Sequence, residues 1–576
     1  MTAGTTLNPA EQASEVALTK IRECLSEGKS FLLEAGAGAG KTYSLIESLK
    51  YLREERGADL LNKHQQIACI TYTNVAADEI TSRTDSHPVI HASTIHAFCW
   101  SLMKGFQPFL REKIASFPKW SEKINEAGGV ENQQVIYDLG YRKIDDKVIM
   151  LHHDDVVLLM VELLHEAKFR DLFSKRYPIL FIDEYQDTEN ALAEALKTCF
   201  LDDNTGCLLG FFGDHWQKIY GTGCGEIEHP NLEIIDKAAN FRSVSTLVDA
   251  LNRLRPEVQQ QVCDPESLGE ISVFHTNNWG GTRRTDNHWQ GDLPPEEARA
   301  HFESIKYRLE GDGWDFSPEK TKILMLTHKV LASQQGYSNI ANVFRYNDAF
   351  LGKEDRHIAF LVDTLEPVCC AYERQNFGEM FSALGRRTPL LLSRQDKESW
   401  AADMDALMEL RRSGTIGEVI DHLRRTNRPR LPDSIENKER KLIEWRQGGE
   451  QEDSRSLSEL NKLRDVAYSE VMLLSDFLND STPFSTKHGV KGAEFENVFV
   501  VFGRGWNQYD FNQLLEWVNE GVPAGKEKTF ERNRNLFYVA CSRSKKRLCL
   551  LFTQELSDEA LGALSSWFGD EVIQAA

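Results

Sequence analysis

Lys41 and Thr42 close a run of small residues, Ala35-Gly36-Ala37-Gly38-Ala39-Gly40, and that order of residue types suits one kind of chemistry. Small residues let backbone N–H groups wrap a polyphosphate, and a helix N-terminus just beyond adds positive potential. In that reading Lys41 reaches the β- and γ-phosphates and the Thr42 hydroxyl ligates Mg²⁺. The strict pattern has glycine six residues before the lysine; Ala35 stands there and is still small. A Gly/Ala-rich turn with a chance Lys-Thr is the bland alternative.

Other chemistry-bearing residues follow at strand ends. The apolar run Ile179-Leu-Phe-Ile stops at Asp183-Glu184. There Asp183 is expected to hold Mg²⁺ and Glu184 to polarise the attacking water. After Cys207–Phe212, Gln217 stands beyond a strand tip, where it could contact the γ-phosphate. Asn240-Phe241-Arg242 sets an aromatic beside a cation. Gln12, near a helix start, could read an adenine edge, since its amide both donates and accepts. Thr71 to Asn74 and Thr94 to His96 come at the ends of two more short strands, either at the edge where ligands bind in parallel α/β sheets or as ordinary strand–helix turns. His152-His-Asp-Asp155 invites a metal reading, but its spacing suits a solvated helix start better. The basic run Arg424–Arg430 reads as a solvated face.

These groups need elements to carry them. Phe31–Leu33 reads as a buried strand and Tyr43–Lys50 as the helix after the loop. Residues 9–28 form an amphipathic helix with Asn8 as cap and Pro9 in its first turn. Ile67–Thr71, Ile179–Ile182, Cys207–Phe212, Lys322–Thr327, Val498–Phe502 and Arg547–Phe552 read as further strands. Residues 101–170 and 346–478 are helical by periodicity. Thr276–Pro295, with Gly280-Gly281 and Pro294-Pro295, reads as a loop or insertion.

The chain has 576 residues, enough for three or four structural domains. Its net charge of -21 argues against a protein that coats nucleic acid electrostatically, but leaves room for a local basic groove. Eleven cysteines without a C-x-x-C pair point to reduced thiols in a cytoplasmic protein. No signal peptide or membrane-length apolar run is apparent.

Taken in order, the motifs resemble superfamily 1 helicases of the UvrD/Rep/PcrA kind over nearly the whole length. The resemblance implies an α/β fold of two RecA-like P-loop NTPase cores, parallel sheets flanked by helices, each with a mainly helical insertion. The first core would comprise 1–100 and 173–232, with its insertion at 101–172. The second would comprise 233–345 and 479–576, with its insertion at 346–478. ATP and Mg²⁺ would bind between the cores. Lys41, Glu184, Gln217, Arg242 and Arg543 would carry the catalysis, with Arg242 and Arg543 as arginine fingers. Gln186 would join Gln217 in coupling nucleotide to DNA. Gln12, the loop Ala35–Thr42, Tyr43, Phe241 and Glu494 would hold the nucleotide, with Phe241 stacking on adenine and Glu494 on the ribose. Thr42 and Asp183 would bind the metal. Thr71, Asn74, Thr94, His96, Tyr220 and His488 fall where the family touches DNA.

The sequence departs from that pattern in places. Tyr43 stands where the family has a base-stacking arginine, and Thr222 where it has a stacking tryptophan. Trp216, which flanks Gln217, is the nearest replacement for the latter, with packing between sheet and helix as the alternative. About 25 residues follow the last core strand, too few for a fused nuclease of typical domain size. The function implied is an ATP-driven translocase or 3′-to-5′ helicase on single-stranded DNA or DNA ends. A second reading is an ATP-gated sensor subunit, since short UvrD-like proteins resemble the helicase partner of an OLD-family nuclease in Gabija-type antiphage systems. A small-molecule P-loop kinase fails on size and on the paired arginines.

Overall fold

The structure is a computed structural model. It describes residues 7–137, 142–202, 206–219, 221–286, 289–325, 332, 335–385, 391–447, 454–479, 482–485, 493–504 and 509–576. Two six-stranded sheets organise them. The first runs, edge to edge, Ile90–Thr94, Ile67–Thr71, Ile179–Asp183, Leu208–Gly213, Phe31–Ala35, Glu233–Lys237. Every pairing is parallel. Ala35, Thr71, Thr94, Asp183 and Gly213 therefore all end on one edge. Helices on both faces bury these strands, which is why Ile179–Asp183 reads as an apolar run with no alternation. Phe31, Phe181 and Phe212 pack edge to face inside this core.

The second sheet runs Phe484–Ser485, Thr321–Met325, Phe495–Phe502, Ser544–Phe552, Glu270–His275, Ile573–Ala575, again all parallel. This is the expected pair of parallel α/β cores. The first helix, Pro9–Glu27, starts as the sequence suggests. Asn8 and Glu11 form a capping box and Pro9 occupies the first turn.

Two expectations need correction. Glu233–Lys237 pairs with Phe31–Ala35, so the first core runs five residues past the border expected at 232. The first insertion is not helical throughout. It carries a three-stranded sheet of Gln134–Tyr137, Val148–Leu151 and Lys143–Ile144, short strands that a helical period fitted across 101–170 hides. The second insertion is helical, from Arg356–Phe360 to Ser469–Leu478.

His152 caps the helix His153–Leu164, with Asp155 completing the capping box, as the helix-start reading has it. Three of the four arginines of the basic run meet acids, Arg424 with Glu436, Arg428 with Asp403 and Arg430 with Asp433, and Arg425 meets the His422 ring. All eleven cysteines are free thiols. No described helix is long and apolar enough to cross a membrane.

Candidate active site

The phosphate loop leaves the first sheet after Ala35, and its helix runs Lys41–Asn62. Gly38 and Gly40 have φ of +77° and +74°, a region that costs an L side chain roughly 1–2 kcal/mol. A Cβ on Gly38 would also lie 2.8 Å from both Arg242 Cβ and Asn240 Oδ1. The loop is thus shaped by its own backbone and by residues arriving from beyond the first sheet.

The carboxylates stand beside it because their strand is two places away in the sheet. Lys41 Nζ lies 3.5 Å from Glu184 Oε2. Glu184 has φ +50°, sparsely populated for a non-glycine residue, and accepts from Gln186 Nε2 at 2.5 Å. Gln186 is wholly buried, and its Oε1 accepts the Asp214 N–H at 3.1 Å. Only a glycine at 213 leaves room, since a Cβ there would fall 2.3 Å from Gln186 Oε1. Asp183 is buried and accepts the Thr71 hydroxyl at 3.3 Å. Burial, and then the charge of Glu184, push its carboxyl up to about 7. A divalent cation at that oxygen would reverse this balance.

Arg543 is buried on the opposite side. Its Nη2 donates to Gln217 Oε1 at 2.7 Å and its Nε to the Val539 carbonyl at 3.2 Å, both neutral groups. Burial, and then the neighbouring Arg242, pull its guanidinium down to about 9. Those hydrogen-bond partners are neutral; the charges of Glu184 and Asp214 act on it through space, and an anion placed closer would be strongly favoured. A polyphosphate on Lys41 with Mg²⁺ on Asp183 and Thr42 fits this donor set, and the metal would neutralise charge on the phosphates. Arg242 takes a different pose. Its Nε pairs with Glu494 at 3.0 Å and its Nη1 donates to the Ser542 carbonyl, while Glu494 also meets Lys545.

Beside the loop, the Tyr43 and Phe241 rings are each 43% exposed. The Lys237 ammonium lies 5.6 and 5.8 Å from their centroids. Lys237 is fully buried and donates to the Gly40 carbonyl and Ser44 Oγ. Burial pulls it down to about 8. Two half-exposed rings flanking a cation suit a flat aromatic base. The helix carrying Gln12 packs against Ala239–Asn240 and Gln261–Val262. Gln12 itself is exposed and donates to the Leu7 carbonyl.

Residues that sequence reasoning missed close the site. Tyr538 accepts the Ala37 N–H at 3.1 Å, while Asn240 and Gln260 each donate to the Ala37 carbonyl at 3.1 Å. Arg255, 2% exposed, bridges Glu34 Oε1 and Asp214 Oδ1, both at 2.6 Å. The signal for Glu34 was present: a carboxylate inside the apolar strand Phe31–Ala35 requires a buried partner.

The residues expected along DNA divide. Asn74 is exposed at the carboxyl edge of the first sheet, with Tyr72 and Val75 beside it. Thr94 and His96 are half-buried at the same edge; the Thr94 hydroxyl accepts the Ala97 N–H, and the His96 ring lies 5.1 Å from that of His153. Thr71 is buried against Asp183, so its hydroxyl serves the carboxylate and not a DNA surface. Trp216 also departs from the stacking expectation. It is 5% exposed, with the Arg534 guanidinium 3.9 Å from its ring centroid and Tyr538 edge-on at 5.5 Å. Packing between the cores wins there, because a ring and two cations of the second core, Tyr538, Arg255 and Arg534, cover it. Tyr220 and His488 lie outside the described residues.

Comparison with known proteins agrees with this geometry. An AAA domain matches residues 19–223, and a UvrD-like helicase C-terminal domain matches residues 415–555. The chain is 24% identical to the Gabija protein GajB of Bacillus cereus (strain HuB5-5), covering 95% of this chain and 96% of that protein. It is 21% identical to the ATP-dependent DNA helicase PcrA of Staphylococcus aureus (strain MRSA252), covering 90% of this chain and 80% of that one. The figure for PcrA of Staphylococcus epidermidis (strain ATCC 12228 / FDA PCI 1200) is 22%, with the same coverage.

Proposed function

We propose that this chain, which matches an AAA domain and a UvrD-like helicase C-terminal domain, hydrolyses Mg-ATP between its cores to move along single-stranded DNA, 3′ to 5′. One observation carries the chemistry: Arg543, buried and hydrogen-bonded to the neutral Gln217 and Val539 oxygens, stands across from Lys41 and the Asp183-Glu184 pair. Phosphoryl transfer needs positive charge delivered to the γ-phosphate, and a planar permanent cation supplies it. Glu184 orients the water and Lys41 holds the phosphates. Arg242 would leave Glu494 for the nucleotide as the cleft fills. Asn74, Thr94 and His96 form the first core's share of the DNA track.

A second reading is supported by similarity to GajB along almost the whole of both chains. ATP turnover would then gate a separate nuclease of the OLD family in a cytoplasmic defence complex, with DNA ends as the trigger. One set of measurements separates the two: ATPase rate with and without single-stranded DNA, unwinding of duplexes with 3′ or 5′ tails, and co-purification of a nuclease. Turnover that ignores DNA would sink both readings. Faster unwinding of 5′-tailed duplexes would sink the polarity alone.

A further inference from the structure

Gln217 is held from two directions. Its Oε1 accepts from Arg543, and its Nε2 donates to Asp214 Oδ2 at 2.7 Å. Asp214 is wholly buried, and its other oxygen takes Arg255 Nη1 at 2.6 Å together with the Trp216 N–H. Arg255 belongs to the second core, just after the helix Ser245–Leu254. Its other nitrogen, Nη2, reaches Glu34 at the end of the phosphate-loop strand. One planar fork therefore spans two carboxylates of the first core, one beside the loop and one beside Gln217. The Trp216 and Tyr538 rings lie within 5.3 and 5.7 Å of the guanidinium and keep water away from it.

We propose that Arg255 is a positioning residue for hydrolysis: supplied by the second core, it fixes Asp214 and through it the rotamer of Gln217, so that Gln217 is aimed at the γ-phosphate only when the cores are docked. The proposal rests on the nucleotide reading above. Lysine cannot reproduce the fork, because its ammonium is a point donor without fixed planar geometry.

The test compares Arg255→Lys, Glu34→Gln, Gln217→Ala and the two double variants with Gln217→Ala, in the full chain, by steady-state ATPase with single-stranded DNA. Arg255→Lys and Glu34→Gln are each expected to lower kcat about tenfold or more while KM for ATP shifts less than about threefold, as loss of orientation acts on the chemical step. In the Gln217→Ala background neither should lower kcat further, because residues acting through one group are not additive. Glu34→Gln keeps the shape of its side chain and loosens the fork from its other end, so the question stands even if Arg255→Lys folds poorly. Losses that multiply with Gln217→Ala, a change confined to KM, or wild-type kcat in both single variants would overturn the proposal. Absence of turnover in the wild type would instead reject the nucleotide reading itself.

Discussion

Arg543 Nη2 and Gln217 Oε1 meet at 2.7 Å, joining the last motif of the second core to a strand-end loop of the first. Arg543→Ala should lower turnover by roughly a hundredfold or more and change ATP affinity far less, since such a cation acts mainly on the transition state. Arg242→Ala should do the same, although Arg242 must first leave Glu494. Stopped-flow binding of a fluorescent ATP analogue beside steady-state turnover checks both; an equal loss in affinity and rate would place the arginines in ground-state binding.

Lys41→Ala and Glu184→Gln should fail differently. The first removes charge from the phosphate site and should weaken nucleotide binding and abolish turnover. The second leaves Lys41 and the loop in place, so the nucleotide should bind with near wild-type affinity while hydrolysis stops. Near wild-type hydrolysis by Glu184→Gln would remove that residue from the chemistry.

Trp216→Ala should cost about 3–5 kcal/mol of stability, because it empties a packed site between Arg534 and Tyr538. Single-strand affinity of the folded fraction should stay within about twofold, below the 1–3 kcal/mol of a lost base stack. Urea unfolding and fluorescence anisotropy measure the two. A large affinity loss without destabilisation would restore the stacking role.

The Tyr43 and Phe241 rings predict base recognition by stacking. Phe241→Ala should raise KM for ATP about tenfold with kcat at saturation little altered, and Phe241→Tyr should retain wild-type values, given about 1–3 kcal/mol per stacked base. An unchanged KM in the alanine variant would place the base elsewhere.

Glu34 gives a pH dependence with a definite sign. Burial pushes its carboxyl up, but His215, Arg255 and Tyr185 outweigh that and hold it down to about 2, from 4.5 ordinarily. A carboxylate depressed in the folded state stabilises fully above its unfolded value and less as pH falls. About 3 kcal/mol should therefore be lost between pH 4.5 and 2. Urea midpoints of wild type should fall more steeply through that window than those of Glu34→Gln; parallel slopes would contradict the assignment.

What could be read from the sequence was whatever is local. Lys41-Thr42 after small residues, and Asp183-Glu184 at the end of an apolar run, sit within strand-turn-helix units that short-range sterics and burial determine. Residues 233–237 fall on the far side of the border expected at 232 because the pairing of Glu233–Lys237 with Phe31–Ala35 is long-range and its residues alternate weakly. Stacking and packing both stand open for Trp216 in the sequence, because Arg534 and Tyr538, which cover it, lie more than 300 positions away. Arg255 has no local signature either, since nothing near it in the chain shows that Glu34 and Asp214 will be its partners.

Lys237 ends the first sheet, and Ser243 already donates to the Ser544 carbonyl in the second. Within that short crossing Phe241 N–H donates to the Gly38 carbonyl of the phosphate loop. A crossing of this kind makes a fulcrum, and its position governs leverage. A swing of one core on the other would turn about the loop that holds Gly38, so displacement would be least there and would grow with distance from it.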